Sequence, residues 1–232
     1  MSKIYQFSTI GALMSGYFYP DQDVSEVCSC SSIGLGCSEK LNAELTISDG
    51  KLYTATAEKS LESHTSALFV PFYQVTNFNN YKQYQILETT QDTLEQTIKH
   101  IILLKNNFVA VKIKAHFTNL VLRRPYASDK MRNIEDVSNN QLVSQYKDIS
   151  GCLIGFWTPE LFGRISVPGF HLHFLSDDLM ISGHVLSYHF DSAELQIEEK
   201  RTIEIMNPNR SEFAELDINL QLLDGLISKV EK

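Results

Sequence analysis

No apolar run in this chain approaches the roughly 18–20 residues that a helix needs to cross a bilayer. The N-terminus carries one lysine, Lys3, and then a broken apolar stretch from Ile10 to Tyr19. It lacks the dense apolar region and small-residue cleavage site of a secretory leader. The expectation is therefore a cytoplasmic protein with no membrane partner. Basic charge is in short supply as well: 20 Lys+Arg stand against 28 Asp+Glu, a formal net charge of −8. A nucleic-acid binder needs a basic face to displace counterions, so this balance argues for no nucleic acid and leaves small molecules or other chains as partners. Cysteine is sparse, with three of the four clustered at Cys28, Cys30 and Cys37. Their spacing lacks the Cys-x2-Cys pair and the clear fourth ligand of a structural zinc site, so free thiols are expected there, with no disulfide framework. Internal repeats and low-complexity tracts are absent too.

What is present is ordinary globular composition, 43% hydrophobic and 21% charged over 232 residues. That composition excludes disorder. A chain of this length buries about 70–75% of the surface its unfolded form exposes and needs no covalent staples. It makes one large domain or two small ones. Residues 8–18 suggest a short helix, weakened by Gly11 and Gly16. Segments 43–48 and 51–55 flank Asp49-Gly50, a strong hairpin signal. The strongest helical pattern covers 93–105, with Asp92 as its cap, Glu95 completing a capping-box spacing, and Leu94, Ile98, Ile101 and Ile102 on one face. After Asn106-Asn107, Val109, Val111 and Ile113 alternate with Lys112 and Lys114, as in a half-buried strand. Residues 128–150 turn polar, as a surface helix or a connection. Strand patterns follow at 152–157, 169–175, 182–190 and 194–199. The fold class expected is α/β in the broad sense, a mixed α+β architecture built around sheets.

The sharpest local feature runs from Gly169 to Leu186. His171 and His173 sit at i and i+2 of a strand and project to one face, while Phe170, Leu172 and Phe174 take the other. If the polar segment Ser176–Asp178 turns the chain, His184 returns on the next strand. A turn centred at Asp177-Asp178 sets His184 opposite His171, and one centred at Asp178-Leu179 sets it opposite His173. Either way three imidazoles converge, the donor set of a catalytic zinc site with an open fourth position. Such a site can hydrate, hydrolyse or polarise a carbonyl; on iron, the same ligands suit a cupin-like oxygenase; and a metal-containing module can also bind small acids without turnover. His64, His100, His116 and His189 show no such arrangement.

A resemblance narrows these choices. Gly155-Phe156-Trp157-Thr158-Pro159-Glu160, then Gly169-Phe170-His171-Leu172-His173-Phe174-Leu175 and Gly183-His184-Val185-Leu186, resemble the signature of acetolactate decarboxylases. Earlier segments agree in order: Tyr5 to Gly16, Gly34-Leu35-Gly36, Glu44, and Asp49-Gly50-Lys51-Leu52-Tyr53. The resemblance implies a two-domain α/β metalloenzyme, two intimately packed halves that we place at 1–127 and 128–232, commonly a homodimer. It implies conversion of the anionic substrate 2-acetolactate to acetoin and carbon dioxide, through a metal-stabilised enediolate protonated by an active-site acid. Carried over by position, His171, His173 and His184 hold Zn2+, Glu44 is the acid, Arg123 binds the carboxylate or the developing oxyanion, and Glu231 approaches from the C-terminal tail. Arg124, one residue on along an extended strand, points away from the site. Three positions depart from the family pattern: Cys37 where a Thr commonly stands, Ser182 in place of the first of two glycines, and Pro125 after the arginine pair.

Overall fold

The structure is a computed structural model that describes residues 3–130 and 132–231, the last by its backbone alone. Two sheets face each other. The first runs from edge to edge as Ile203–Met206, Ile4–Phe7, Phe72–Asn77, Ser32–Cys37, Glu44–Ser48, Lys51–Ala55 and Glu62–His64. Its neighbours are antiparallel apart from the parallel pair Ile4–Phe7 and Ile203–Met206. The expected hairpin forms between Glu44–Ser48 and Lys51–Ala55, where Asp49 and Gly50 take φ of 50° and 74°. A two-residue turn with both central φ angles positive matches the twist of its strands, which is why this dipeptide signals a hairpin so well.

The second sheet orders Phe108–Phe117, Ile149–Thr158, Gly169–Ser176, Ser182–Lys200, Asn119–Pro125 and Gln141–Tyr146, with Lys82–Thr90 alongside Ser182–Lys200. The two strands expected at 182–190 and 194–199 are one strand of 19 residues. Ser192 stays in register opposite Leu87, so the partner strand Lys82–Thr90 carries the extended backbone through the polar break. Near its start the long strand pairs with Gly169–Ser176 and Asn119–Pro125; toward its end it pairs with Phe108–Phe117 and Lys82–Thr90. Phe108–Phe117 also pairs with Ile149–Thr158, which pairs with Gly169–Ser176, so these four strands form a closed circuit.

Packing follows the alternation of side chains. Ile33, Leu35 and Cys37 of the first sheet meet Ala110, Ile154 and Phe156 of the second in a shared core. Val111, Ile113, Leu153 and Phe174 point the opposite way into a core of the second sheet, covered by Leu94 and Ile98 of the helix Gln91–Lys99. That helix begins and ends earlier than the 93–105 reading. Thr90, not Asp92, is the cap, since Thr90 and Thr93 exchange side-chain and backbone bonds as a capping box. Its C-terminus is closed by the Ile98 carbonyl, which accepts from both Ile101 and Ile102. The polar stretch 128–150 holds a helix, Ile134–Asn139, and the edge strand Gln141–Tyr146.

Strand pairing does not part the chain between 127 and 128. Phe108–Phe117 and Asn119–Pro125 belong to the sheet of the metal-site strands, and Ile203–Met206 returns to the first sheet. The helix Leu220–Glu231, for which no element was expected, packs Leu223, Ile227 and Val230 beside Ile10, Leu13 and Met14 of the short helix Ile10–Met14.

Candidate active site

The turn after Gly169–Ser176 decides the register left open by the sequence. Ser176 Oγ donates to Asp178 Oδ1 at 2.6 Å and accepts from the N–H groups of Met180 and Ile181 at 3.2 and 2.9 Å. Leu179 takes φ of 57°, which turns the chain there. The hairpin is therefore centred at Asp178-Leu179, and His184 pairs with His173. His171 and His173 share a face, with ring centroids 5.5 Å apart; His184 completes the triangle at 5.0 and 5.5 Å. One ring nitrogen from each lies within 4.8 Å of the other two, and all three side chains are buried. Among the described residues they are the sole such group of potential ligands. Gly155, on the neighbouring strand, allows this close approach: a Cβ there would sit 2.0 Å from the His171 carbonyl oxygen.

Hydrogen bonding and burial prepare these rings for a metal. His173 Nδ1 is 2.8 Å from the Leu45 carbonyl, which can only accept, so Nδ1 carries the proton and Nε2 offers its lone pair. Burial, together with the Arg123 charge, pushes His171 down to about 3. His173 falls well below the ordinary histidine range, again mainly through burial, with His171 and Arg123 adding to it. Neutral imidazole is the ligand form, so the donor set fits a divalent ion held by three histidines.

The other wall comes from distant segments. Leu45 and Ile47 turn into the outer core of the first sheet, so Glu44 and Thr46 face the histidines. Glu44 Oε2 lies 3.5 Å from His173 Nε2. Arg123 is cross-strand partner to His184, is buried, and donates from Nη1 to the Val230 carbonyl of the C-terminal helix. Arg124 points away as expected, bonding Ser144 Oγ at 3.1 Å and Tyr146 OH at 3.0 Å. One cavity is lined by Glu44, Arg123 and the three histidines, and closed by apolar side chains including Met14, Phe72, Ile134 and Val230. The proposed Glu231 side chain lies outside the described residues; its neighbour Val230 lines the cavity.

Cys37 and Gln141 also line the cavity, unassigned by the sequence reading. Register gives a signal for Cys37, which is the cross-strand partner of Glu44 beside the hairpin. For Gln141, no local pattern exists. All four cysteines are free thiols.

A family model described as Alpha-acetolactate decarboxylase matches residues 4–220. The chain is 32% identical over 199 residues to the alpha-acetolactate decarboxylase of Lactococcus lactis subsp. lactis, covering 85% of this chain and 84% of that protein. Its fold matches a Staphylococcus aureus protein described as of unknown function and similar to alpha-acetolactate decarboxylase, with TM-score 0.92, 29% identity, and 98% and 99% of the two chains covered. It also matches acetolactate decarboxylase from Bacillus subtilis subspecies spizizenii, with TM-score 0.91, 26% identity, and 99% and 100% covered.

Proposed function

We propose, from the premise that this chain belongs to the alpha-acetolactate decarboxylase family and is a carboxy-lyase, that it releases carbon dioxide from 2-acetolactate to give acetoin at the three-histidine site, with zinc as the metal. The observation that carries this reading is the convergence of three buried imidazoles, Glu44 and Arg123 on one cavity. His171, His173 and His184 would hold the zinc, which when bound would supply Lewis acidity to the reaction. Arg123 supplies a fixed positive charge within the cavity, suited to the substrate carboxylate through charge-assisted hydrogen bonds. The metal and Arg123 make the site cationic inside a protein of net charge −8, which otherwise repels an anion.

As the bond to the carboxylate breaks, its electron pair stays on the organic fragment, which must then gain a proton at carbon. Glu44, 3.5 Å from His173, is the side chain that holds this proton, with Glu231 as a second acid from the C-terminal helix. Met14, Phe72 and Ile134 line the same cavity and limit the water that can compete with Glu44 as proton donor. The family resemblance supports a homodimer, the sequence pattern of the N-terminus supports a cytoplasmic location, and the acidic balance supports partners other than nucleic acid. No helix among the described residues is long and apolar enough to cross a membrane.

The test is a colorimetric acetoin assay on racemic 2-acetolactate, with metal content measured on the same sample. Acetoin formation that tracks bound zinc is expected. Bound metal without acetoin would replace this reading with a binding module, and oxygen consumption would replace it with an oxygenase.

A further inference from the structure

Two buried hydroxyls join the two walls of the site and take no part in the mechanism above. Thr46 is two residues beyond Glu44 on the same strand, and Ser182 is two residues before His184 on its own. Period-two alternation therefore points Thr46 with Glu44, and Ser182 with His184. Both are shielded from solvent, Thr46 at 0% exposure and Ser182 at 1%. Their hydroxyl oxygens are 2.9 Å apart, a hydrogen bond that crosses from one sheet to the other. Thr46 Oγ1 is also 3.3 Å from His173 Nδ1, whose proton goes chiefly to the Leu45 carbonyl at 2.8 Å. One turn-free stretch, Glu44 to Thr46, thus presents an acid to the ligand nitrogen of His173 and two acceptors to its opposite nitrogen.

The carbonyl fixes the first part of this chain of bonds. Leu45 can only accept, so Nδ1–H is a donor and Thr46 Oγ1 accepts its remaining share, while the Thr46 and Ser182 hydroxyls share a bond in which either can donate. Backbone carbonyls and hydroxyls behind a ligand histidine fix its tautomer and ring plane and raise its basicity. Here the same contacts also fix how far the Glu44 strand stands from the metal hairpin, because Thr46 and Ser182 belong to different sheets.

We propose that Thr46 and Ser182 are positioning residues, an inter-sheet clamp that orients His173 toward the metal and holds Glu44 in reach of the same point. This deepens the function proposed above and rests on it. Thr46→Val keeps the branched shape and removes the hydroxyl; Ser182→Ala removes the partner from the other sheet; Thr46→Ser keeps the hydroxyl. Zinc Kd is measured by competition with a chromogenic chelator, the visible spectrum is taken with cobalt(II) in place of zinc, and kcat and KM are measured separately.

Thr46→Val is expected to weaken zinc about 10-fold, shift the cobalt bands, and lower kcat with KM nearly unchanged. Ser182→Ala should move the same readouts in the same direction by less, and Thr46→Ser should recover the wild-type spectrum and Kd. Wild-type Kd and cobalt bands in both Thr46→Val and Ser182→Ala would overturn the clamp. If Thr46→Val does not fold, Ser182→Ala alone decides by the same readouts. The Kd and spectrum are read without turnover. A wild-type chain that binds zinc yet makes no acetoin would sink the proposed reaction and still leave the clamp decided by these numbers, whereas a wild-type chain without zinc affinity overturns both.

Discussion

The cavity has two walls built by different means. One is the hairpin of Gly169–Ser176 and Ser182–Lys200, whose ladder register alone brings His173 opposite His184 and puts His171 on the same face. The other is assembled from separate parts of the chain: Leu45 meets His173 across 128 residues of sequence, and the C-terminal helix reaches Arg123, itself a ladder partner of His184, through the Val230 carbonyl 107 residues away. A wall held by its own ladder is preorganised by local bonds. A wall held by packing between sheets depends on many side chains fitting at once. Metal affinity should therefore reside mainly in the first wall, with the Thr46 contact as the second wall's smaller share, and the proton-donating chemistry in the second; substitutions that uncouple the two test that division.

The largest effect is expected from the hairpin. His173→Ala removes a ligand, so zinc affinity should fall by more than the roughly 100-fold that marks the upper range for an outer-shell partner. Acetoin formation should fall to background in the same sample. Competition titration against a chelator checks this, and retention of tight zinc would end the assignment of His173. On the opposite wall, Glu44→Gln is nearly isosteric and should leave zinc Kd within about 2-fold while lowering kcat by roughly 10²–10⁴. A kcat within a few-fold of wild type would remove Glu44 as the proton donor.

The smallest effect concerns the metal-free protein. His171 and His173 are held neutral by burial, His171 down to about 3, whereas an unfolded histidine titrates near 6.5. Below pH 6.5 the unfolded chain therefore binds protons that the folded chain does not. His171 contributes a loss of up to about 1.4 kcal/mol per pH unit as pH falls from 6.5 toward 3, and His173, also held well below the ordinary range, adds a loss of the same sign. Tm of the metal-free protein should drop between pH 7 and 5, and bound zinc should flatten that slope. A metal-free Tm independent of pH over this window would contradict the neutral, buried imidazoles.

The same contrast explains what was legible in the sequence. The metal hairpin could be read from alternation and turn residues because its contacts are local. What remained ambiguous was a register shift of two residues, which keeps the same face, and it is decided by Ser176 Oγ and the positive φ of Leu179, neither of which alternation reports. The hairpin at Asp49-Gly50 was legible for the same local reason. Glu44 and Arg123 carried no local signal; they entered through family resemblance, and the structure brings both to the cavity. The helix Leu220–Glu231 was passed over although Leu223, Ile227 and Val230 recur at helical spacing, because its value lies in covering a cavity formed by residues far upstream. The long strand through Asp191 and Ser192 looked interrupted for a similar reason: a polar break is tolerated when strands from elsewhere supply the ladder on either side.

The central claim, decarboxylation that depends on the metal held by His171, His173 and His184, is tested most directly by removing and restoring that metal. Protein stripped with a strong chelator and verified metal-free should form no acetoin from 2-acetolactate, and zinc added at one equivalent per chain should restore the rate. Undiminished acetoin formation by the verified metal-free protein would contradict the account.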